Sequence, residues 1–391
     1  MNIFSQSFWR ACMRILRCAP LLLLFACVHT PEISVTIEVH APETADSSTL
    51  YIAGNNNQMG DWQADIVQLE NVGNHNWQST FHYEAGTILE YKITRGSWDM
   101  EATNQDGSPF QNTVLKVETD TTVQSDVHYW KHGKAIEIQG QITGDVRFHK
   151  DFSAPALLPR DIVVWLPPNY SQNPDRRYPV LYMQDGQNIF DPKTASYQVD
   201  WQIDESADSL IRAVVIEPII IVGINNTVQR TAEYTLTSTG SAYRTFVIET
   251  VKAFVDATYR TKPGREYTAV GGSSYGGTVA FMLAWENPHI FSKSLCMSPA
   301  FKTKGVNIVR HVRKDKGPKP DILFYLDNGG VGLEEQLQPG IDLMMSTLEK
   351  KGYQLGDDYF WVLDQDARHF ESAWAKRIPN ALKLLYGVEG E

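Results

Sequence analysis

The run Gly271-Gly272-Ser273-Ser274-Tyr275-Gly276-Gly277 decides the fold of the second part of this chain. It follows an apolar segment at residues 267–270 and precedes a helical pattern at residues 276–285. A serine between two glycines at a strand-to-helix junction is typical of a nucleophile on a sharp turn. The glycines let the strand and the helix approach without a Cβ clash. The sequence therefore predicts Ser274 as a candidate nucleophile facing the N-terminus of a helix.

Outward from this turn, solid apolar segments alternate with helical patterns from about residue 159 to residue 391. Such strands are typical of a parallel sheet that helices cover on both faces. The sequence predicts an α/β domain with a mostly parallel, doubly wound sheet. The predicted strands are residues 162–166, 180–183, 219–223, 267–270 and 322–326, and the predicted helices are residues 246–257 and 276–285.

Residues 33–130 have a different pattern, in which apolar and polar residues alternate over short segments separated by turn residues. Period-two strands at short spacing predict a small all-β sandwich that precedes the α/β domain. The alternating segments are residues 34–39, 50–53, 77–81 and 89–93. The polar bridge at residues 131–158 is expected to contain a linker and the first strands of the next domain.

The first 27 residues have the features of an export signal. Arg10, Arg14 and Arg17 precede the apolar run at residues 18–26, which is too short to span a bilayer. The stretch Leu24-Phe25-Ala26-Cys27 resembles a bacterial lipoprotein signal, in which Cys27 would be lipidated. We therefore expect an exported cell-envelope lipoprotein that meets the membrane only through its lipid. An ordinary export signal cut nearby, or an uncleaved anchor, is the alternative.

Composition excludes several classes of function. The 391 residues are enough for about two or three domains with their own cores. With 35 Lys+Arg against 46 Asp+Glu, the net charge is −11 and no basic stripe is present, which argues against a nucleic-acid partner. Neither a phosphate-binding glycine loop nor a dinucleotide fingerprint is present, and no strong metal motif, so no cofactor or metal is expected.

A serine nucleophile requires a base, and only His289, His311 and His369 follow Ser274 in the sequence. His289 falls where the helix after Ser274 must end, and His311 lies in a basic stretch typical of a solvated surface. His369 comes just after an apolar strand at residues 359–363, where a late loop can return to the serine. His369 is therefore the candidate base.

The acid that orients this histidine should lie in the loop after residues 322–326. Asp327, Glu334 and Glu335 are all in that segment, and spacing alone does not choose among them. Developing negative charge on a carbonyl oxygen also requires fixed donors. The backbone N–H of Tyr275 is one candidate, and the N–H of Gly186 or Gln187, after the strand at residues 180–183, is the other.

Residues 160–385 resemble the esterase D-like branch of the α/β-hydrolases, which includes feruloyl, acetylxylan and siderophore esterases. The motifs that carry the resemblance are Asp161-Ile162-Val163-Val164-Trp165-Leu166-Pro167-Pro168, the segment at residues 181–191, the glycine-serine run, and His369-Phe370-Glu371-Ser372-Ala373-Trp374. The resemblance implies the α/β-hydrolase fold and ester hydrolysis without metal or cofactor. It favours Glu334 as the acid, with Asp327 as the reserve, and places Arg230 at the border of the substrate cleft.

The first part of the chain is similar to starch-binding modules. The matching pieces are Tyr51-Ile52-Ala53-Gly54, Met59-Gly60-Asp61-Trp62, Glu90-Tyr91-Lys92-Ile93 and Trp98. The resemblance implies that Trp62 and Trp98 form a platform on which glucose rings lie flat, since an indole offers a large apolar face. The alternative is a purely structural domain whose tryptophans belong to its core.

Together these features predict an exported serine esterase that forms an acyl-enzyme and acts on an acylated polysaccharide or a catecholate siderophore ester. Its expected partners are the ester substrate and an α-glucan or other polysaccharide. Two alternatives stay open. One is a surface glycan-binding lipoprotein with an idle hydrolase domain, and the other is an acyltransferase that uses the same site.

Overall fold

A computed structural model describes residues 32–388, apart from residues 43, 46, 105–108, 132–139 and 198. Cys27 and the rest of the expected export signal therefore lie outside the described residues. Within the described ranges, no helix combines the length and the apolar character needed to cross a membrane.

The first part of the chain folds into a sandwich of two four-stranded sheets, with strand orders β4-β5-β1-β9 and β3-β2-β6-β8. Its strands are β1 (Ile33–His40), β2 (Tyr51–Gly54), β3 (Val67–Gln68), β4 (Glu70–Gly73), β5 (Asn76–Tyr83), β6 (Ile88–Thr94), β7 (Ala102–Thr103), β8 (Thr113–Lys116), β9 (Thr121–Asp126) and β10 (Tyr129–Trp130). The short strands β7 and β10 pair with each other.

Alternation along β1 explains how the sandwich closes. Val35, Ile37 and Val39 are fully buried, whereas the residues between them are only half-buried. The inward residues pack against Trp77 and Tyr91 in one core. The predicted all-β sandwich is therefore confirmed, with one feature that the pattern did not indicate: β1 pairs parallel with β9.

The second part of the chain forms an eight-stranded sheet of order β11-β12-β14-β13-β15-β16-β19-β20. The strands after the sandwich are β11 (Asp145–Phe152), β12 (Arg160–Leu166), β13 (Val180–Gln184), β14 (Ile220–Ile224), β15 (Thr268–Ser273), β16 (Lys293–Met297), β17 (Lys302–Thr303), β18 (Val306–Asn307), β19 (Leu323–Val331) and β20 (Tyr359–Arg368). The pairings of β12 with β11 and β14 are antiparallel, and the pairings from β14 across to β20 are parallel.

Helices cover both faces of this sheet. They are α1 (Ile203–Arg212), α2 (Arg230–Glu233), α3 (Ser238–Phe246), α4 (Ala253–Thr258), α5 (Tyr275–Glu286), α6 (Ile308–Lys314), α7 (Leu333–Lys350) and α8 (Glu371–Tyr386), with a π-helical stretch at Val247–Lys252. Along β13, Tyr182 packs into one core and Leu181 into the other. This two-sided burial explains the continuous apolar strands and confirms the predicted α/β fold class.

The strands β19 and β20 both run further than the apolar pattern indicates, and β20 continues to Arg368. β19 continues to Val331, so Asp327 lies inside a strand rather than in the expected loop. Asp327 is opposite Met297 of β16 and Val362 of β20, and pairing on both sides holds the backbone extended there. The loop is therefore short, and Glu334 comes in the first turn of α7.

The sandwich contacts the α/β domain directly. The guanidinium Nη1 of Arg368, at the end of β20, donates to the carbonyl oxygen of Asn112 at 2.9 Å. The ammonium of Lys92 in β6 lies 5.6 Å from the ring centroid of Tyr197. These contacts bring one face of the sandwich to the edge of the sheet where β20 ends.

Candidate active site

Ser274 lies on a strained turn between β15 and α5. Its backbone has φ 55° and ψ −125°, a conformation that residues other than glycine rarely adopt. A Cβ added at Gly272 would lie 2.6 Å from the carbonyl carbon of Gly276, so position 272 requires glycine for the close approach of β15 and α5. The Ser274 N–H donates to the Met297 carbonyl at 2.9 Å, which ties the turn to β16.

A cavity of about 230 Å³ opens beside this turn and contains both predicted reacting side chains, Ser274 and His369, in its wall. Arg230, which the family resemblance predicts at the border of the substrate cleft, also lines this cavity. Unexpectedly, three residues of the sandwich complete the wall: Trp62, Glu90 and Asn112.

His369 is held by a buried carboxylate. Its Nδ1 lies 3.1 Å from Oε2 of Glu334, and its ring meets Trp374 edge-on with centroids 5.0 Å apart. Burial alone would raise the pKa of Glu334, but the charge and hydrogen bond of His369, together with Ser298 and Arg377, hold this pKa below its ordinary value. Glu334 is therefore ionised at neutral pH and can orient the imidazole.

Asp327, the alternative acid, has other partners. Its Oδ1 accepts the Ser298 N–H at 3.0 Å, and its Oδ2 accepts the Tyr325 hydroxyl at 3.1 Å and lies 3.2 Å from Arg377 Nε. Burial raises the pKa of Asp327 to about 6, against the opposing charge of Arg377. Its contacts among the described residues do not include His369.

Ser298 connects the two carboxylates, and the sequence patterns did not single it out. Its hydroxyl donates to Glu334 Oε1 at 2.6 Å and accepts from Trp374 Nε1 at 3.0 Å and from Arg377 Nη2 at 2.9 Å. Trp374 was visible in the motif that begins at His369, but Ser298 and Arg377 belong to no motif. Their positions depend on tertiary packing around Glu334.

The two predicted oxyanion donors have different surroundings. Tyr275 is the first residue of α5, where backbone N–H groups have no partner within the helix. Gly186 packs against the backbone of Gly223, and Gln187 accepts the Asn226 N–H through its side chain. Tyr275, Gly186 and Gln187 are all absent from the residues that line the cavity, so both oxyanion donors stay predictions.

Arg230 is fixed by a two-point ion pair. Its Nε and Nη2 each lie 2.7 Å from a carboxylate oxygen of Asp185, which also accepts from Asn226. The guanidinium lies 5.1 Å from the ring centroid of Tyr234. Arg230 therefore presents an oriented cation at the cavity wall while Asp185 balances its charge.

The two tryptophans of the expected sugar platform differ in position. Trp62 lines the cavity that contains Ser274, whereas Trp98, in the short 3₁₀ turn Trp98–Met100, does not. Both side chains are half-buried. The structure thus does not bring Trp98 to the site that contains Trp62, and the shared platform stays a prediction.

A cluster of acids lies outside this cavity. Asp200, Asp204 and Glu205 have carboxylate oxygens within 4.8 Å of one another, a spacing that a metal ion could bridge. Burial, followed by the hydrogen bond with Glu205, raises the pKa of Asp204 to about 9. A proton on Asp204 at neutral pH relieves the repulsion among these carboxylates.

Comparison with known proteins follows the same division of the chain. The Esterase family model matches residues 158–382, and the Starch binding domain model matches residues 32–127. The uncharacterized protein YjcH of Bacillus subtilis is 29% identical over 257 residues, which cover 62% of this chain and 98% of that protein. An amylopullulanase of Thermoanaerobacter thermohydrosulfuricus is 31% identical over 109 residues, which are 26% of this chain and only 7% of the amylopullulanase.

Solved structures show the same fold. A ferulic acid esterase superposes with a TM-score of 0.51 at 21% identity and covers 62% of this chain and 98% of its own. The enterobactin esterase FES from Shigella flexneri superposes with a TM-score of 0.54 at 14% identity and covers 92% of this chain and 94% of its own. The Esterase model covers more than half of the chain, so this protein belongs to the Esterase family: it is an esterase with the α/β-hydrolase fold that follows an N-terminal domain of the starch-binding type.

Proposed function

We propose that this protein is a serine esterase that hydrolyses carboxylic esters through an acyl-enzyme. The observation that carries the proposal is the cavity shared by Ser274, on its strained turn, and His369, whose Nδ1 contacts buried Glu334. A nucleophile, a base and a carboxylate that orients the base are the parts that acyl transfer requires.

The reaction runs in two halves. Ser274 Oγ attacks the ester carbonyl while His369 Nε2 takes its proton, and the oxyanion that forms is stabilised by the Tyr275 N–H at the start of α5. Collapse of this intermediate breaks the ester bond, and His369 returns the proton to the leaving alcohol. Water, deprotonated by His369, then attacks the acyl-enzyme and releases the carboxylic acid and Ser274.

We assign the acid role to Glu334 rather than Asp327. Glu334 meets the ring nitrogen of His369 that faces away from the proton transfer, and its lowered pKa keeps it charged. Asp327 neutralises Arg377 instead. Arg377 in turn donates to Ser298, which donates to Glu334, so Asp327 acts at a distance by positioning these groups.

The proposed substrate is an acylated polysaccharide or a catecholate siderophore ester. The starch-binding match of residues 32–127 supports a carbohydrate. The fold neighbours are named as esterases of ferulic acid and of enterobactin, which supports an aromatic ester. Both substrate classes combine an ester with a hydroxylated ring in the same molecule.

Replacement of Ser274 by alanine tests the proposed nucleophile. We expect Ser274→Ala to lose at least about 10³-fold in kcat toward 4-nitrophenyl acetate, because no other group then forms the acyl-enzyme. Ser241→Ala, a change at an exposed serine of α3, serves as the control. Mass spectrometry after fluorophosphonate labelling should find the adduct on Ser274. Full activity of Ser274→Ala, or an adduct elsewhere, would refute the assignment.

The proposed location is the cell envelope, with a lipid on Cys27 after removal of residues 1–26. The arginine-rich start followed by Leu24-Phe25-Ala26-Cys27 supports this proposal. The intact mass of the mature protein should show a diacylglyceryl group that Cys27→Ser lacks. An unmodified N-terminus at another residue would instead favour an ordinary export signal.

A further inference from the structure

We propose that the sandwich builds one wall of the substrate pocket, where Trp62 and Glu90 bind an uncharged, hydroxyl-bearing ring of the ester. The inference rests on the proposed esterase function and deepens it. It gives the starch-binding-type domain a role at the reaction site itself.

The first argument is placement. Trp62, Glu90 and Asn112 line the cavity that also contains Ser274 and His369. Glu90 and Asn112 further line a neighbouring cavity of about 190 Å³ that again includes His369. A substrate bound at Ser274 therefore has the sandwich beside it.

The second argument is that this wall is fixed. Arg368, the residue before His369, donates to the Asn112 carbonyl at 2.9 Å. The Asn112 side chain in turn donates to Glu90 Oε1 at 2.8 Å. Two residues along β6, buried Lys92 pairs with Glu101 at 2.9 Å and lies over Tyr197, another cavity residue. Glu90 thus has a defined position relative to the base.

The third argument is that a carboxylate oxygen of Glu90 is an unpaired hydrogen-bond acceptor. Glu90 is 3% exposed, and its Oε2 has no hydrogen-bond partner among the described residues. The nearest cation along β6, Lys92, is already paired with Glu101. Because an unpaired buried acceptor costs free energy, a hydroxyl that donates to Oε2 would be bound favourably.

The fourth argument concerns the shape and charge of the ligand. Trp62 offers a flat indole face, which packs against the C–H face of a sugar or against an aromatic ring. The Trp62 backbone lies in the left-handed region at φ 64°, and its N–H donates to the Gly54 carbonyl oxygen at 2.8 Å. Glu371 lines the same cavity as Glu90, and the charge of the cavity's cation Arg230 is already balanced by Asp185, so an anionic ring would meet two carboxyl groups. An uncharged ring with donor hydroxyls fits both features, and sugars and catechols share this chemistry.

Acetates of different alcohols test the proposal because they keep the acyl group constant. Methyl xyloside monoacetate is compared with cyclohexyl acetate, and catechol monoacetate with phenyl acetate. In each pair the second ring lacks the hydroxyls. For Glu90→Gln in the full chain, we expect the ratio of kcat/KM within a pair to fall about fivefold to tenfold, since a charge-assisted hydrogen bond is replaced by a neutral one.

In the pair whose ratio falls for Glu90→Gln, Trp62→Ala should lower kcat/KM for the hydroxylated acetate by at least the same factor, because the stacking face is removed. Glu118→Gln, at an exposed carboxylate of the same domain, is the matched control and should keep the wild-type ratios. The pair whose ratio falls identifies the ring as sugar or catechol.

An unchanged ratio in both pairs for Glu90→Gln would overturn the proposal. An equal loss of kcat/KM for every acetate leaves the ratios unchanged in this way and would indicate general damage to the site. Neither pattern touches the proposed esterase function, which instead fails if Ser274→Ala still hydrolyses phenyl acetate.

Discussion

At the scale of single residues, the two buried carboxylates beside Ser298 illustrate how partners decide roles. Glu334 contacts the imidazole of His369, and Asp327 contacts the guanidinium of Arg377. Burial acts on both groups, yet the pKa of Glu334 is lowered and that of Asp327 is raised to about 6. Both residues lie in one short segment of the sequence. Because β19 continues to Val331, Asp327 lies inside the strand, whereas Glu334 lies in the first turn of α7.

Because Glu334 and Asp327 have different partners, substitution of Glu334 tests its proposed role as the acid. Glu334→Gln should lower kcat toward 4-nitrophenyl acetate by about 10³–10⁴-fold, because the uncharged amide no longer stabilises the imidazolium. Glu335→Gln, at the exposed neighbour in the same helical turn, should stay within about twofold of the wild type. The measurement is steady-state kinetics at constant pH with circular dichroism to verify folding. Equal losses in the two variants would contradict the assignment.

At the scale of elements, helix α1 carries the acid cluster that includes Asp204. Asp204 is fully buried, and its Oδ2 accepts the Thr143 N–H at 2.7 Å. Its pKa is raised to about 9, above the value of about 3.9 in an unfolded chain. The folded protein therefore holds a proton that the unfolded chain releases between these two pH values. The stabilisation is complete below about pH 4 and is lost as the pH rises toward 9.

Asp204→Asn should remove this pH dependence. Between pH 5 and 8, we expect the free energy of unfolding of the wild type to fall more steeply with pH than that of the variant, by at most about 1.4 kcal/mol per pH unit. Urea unfolding at several pH values measures the difference. Asp208→Asn on the same helix, which removes a surface ion pair with Arg212, is the control. Identical slopes, or a large rise in wild-type stability on addition of calcium, would contradict a protonated Asp204.

The predictable elements share a physical basis. The turn at Ser274 was evident because glycine is needed at position 272, where β15 and α5 approach closely. Buried strands such as β13 were evident because they contain an uninterrupted apolar run, which in β13 extends from Val180 to Met183. The ends of β19 and β20 were not evident, since Asp327 and Arg368 remain in strands through pairing and contacts that no local pattern contains.

At the scale of the whole molecule, the two domains could be recognised from their patterns, but their contact could not. Alternation in β6 indicated a strand, yet it did not indicate that Glu90 and Lys92 face the other domain. Trp62 was predicted to bind sugar on a surface shared with Trp98, and the structure places it in the wall of the cavity beside Ser274. Such placements depend on how the two cores dock.

The hydrogen bond from Arg368 to Asn112 has a consequence for how such a protein can diversify. A module joined by a tether alone can be exchanged by recombination without disturbing the chemistry of its neighbour. Here the exchange would also remove a support adjacent to His369 and leave the cavity that contains Ser274 open on one side. The two halves are therefore constrained to change together, as the subunits of an obligate heterodimer are.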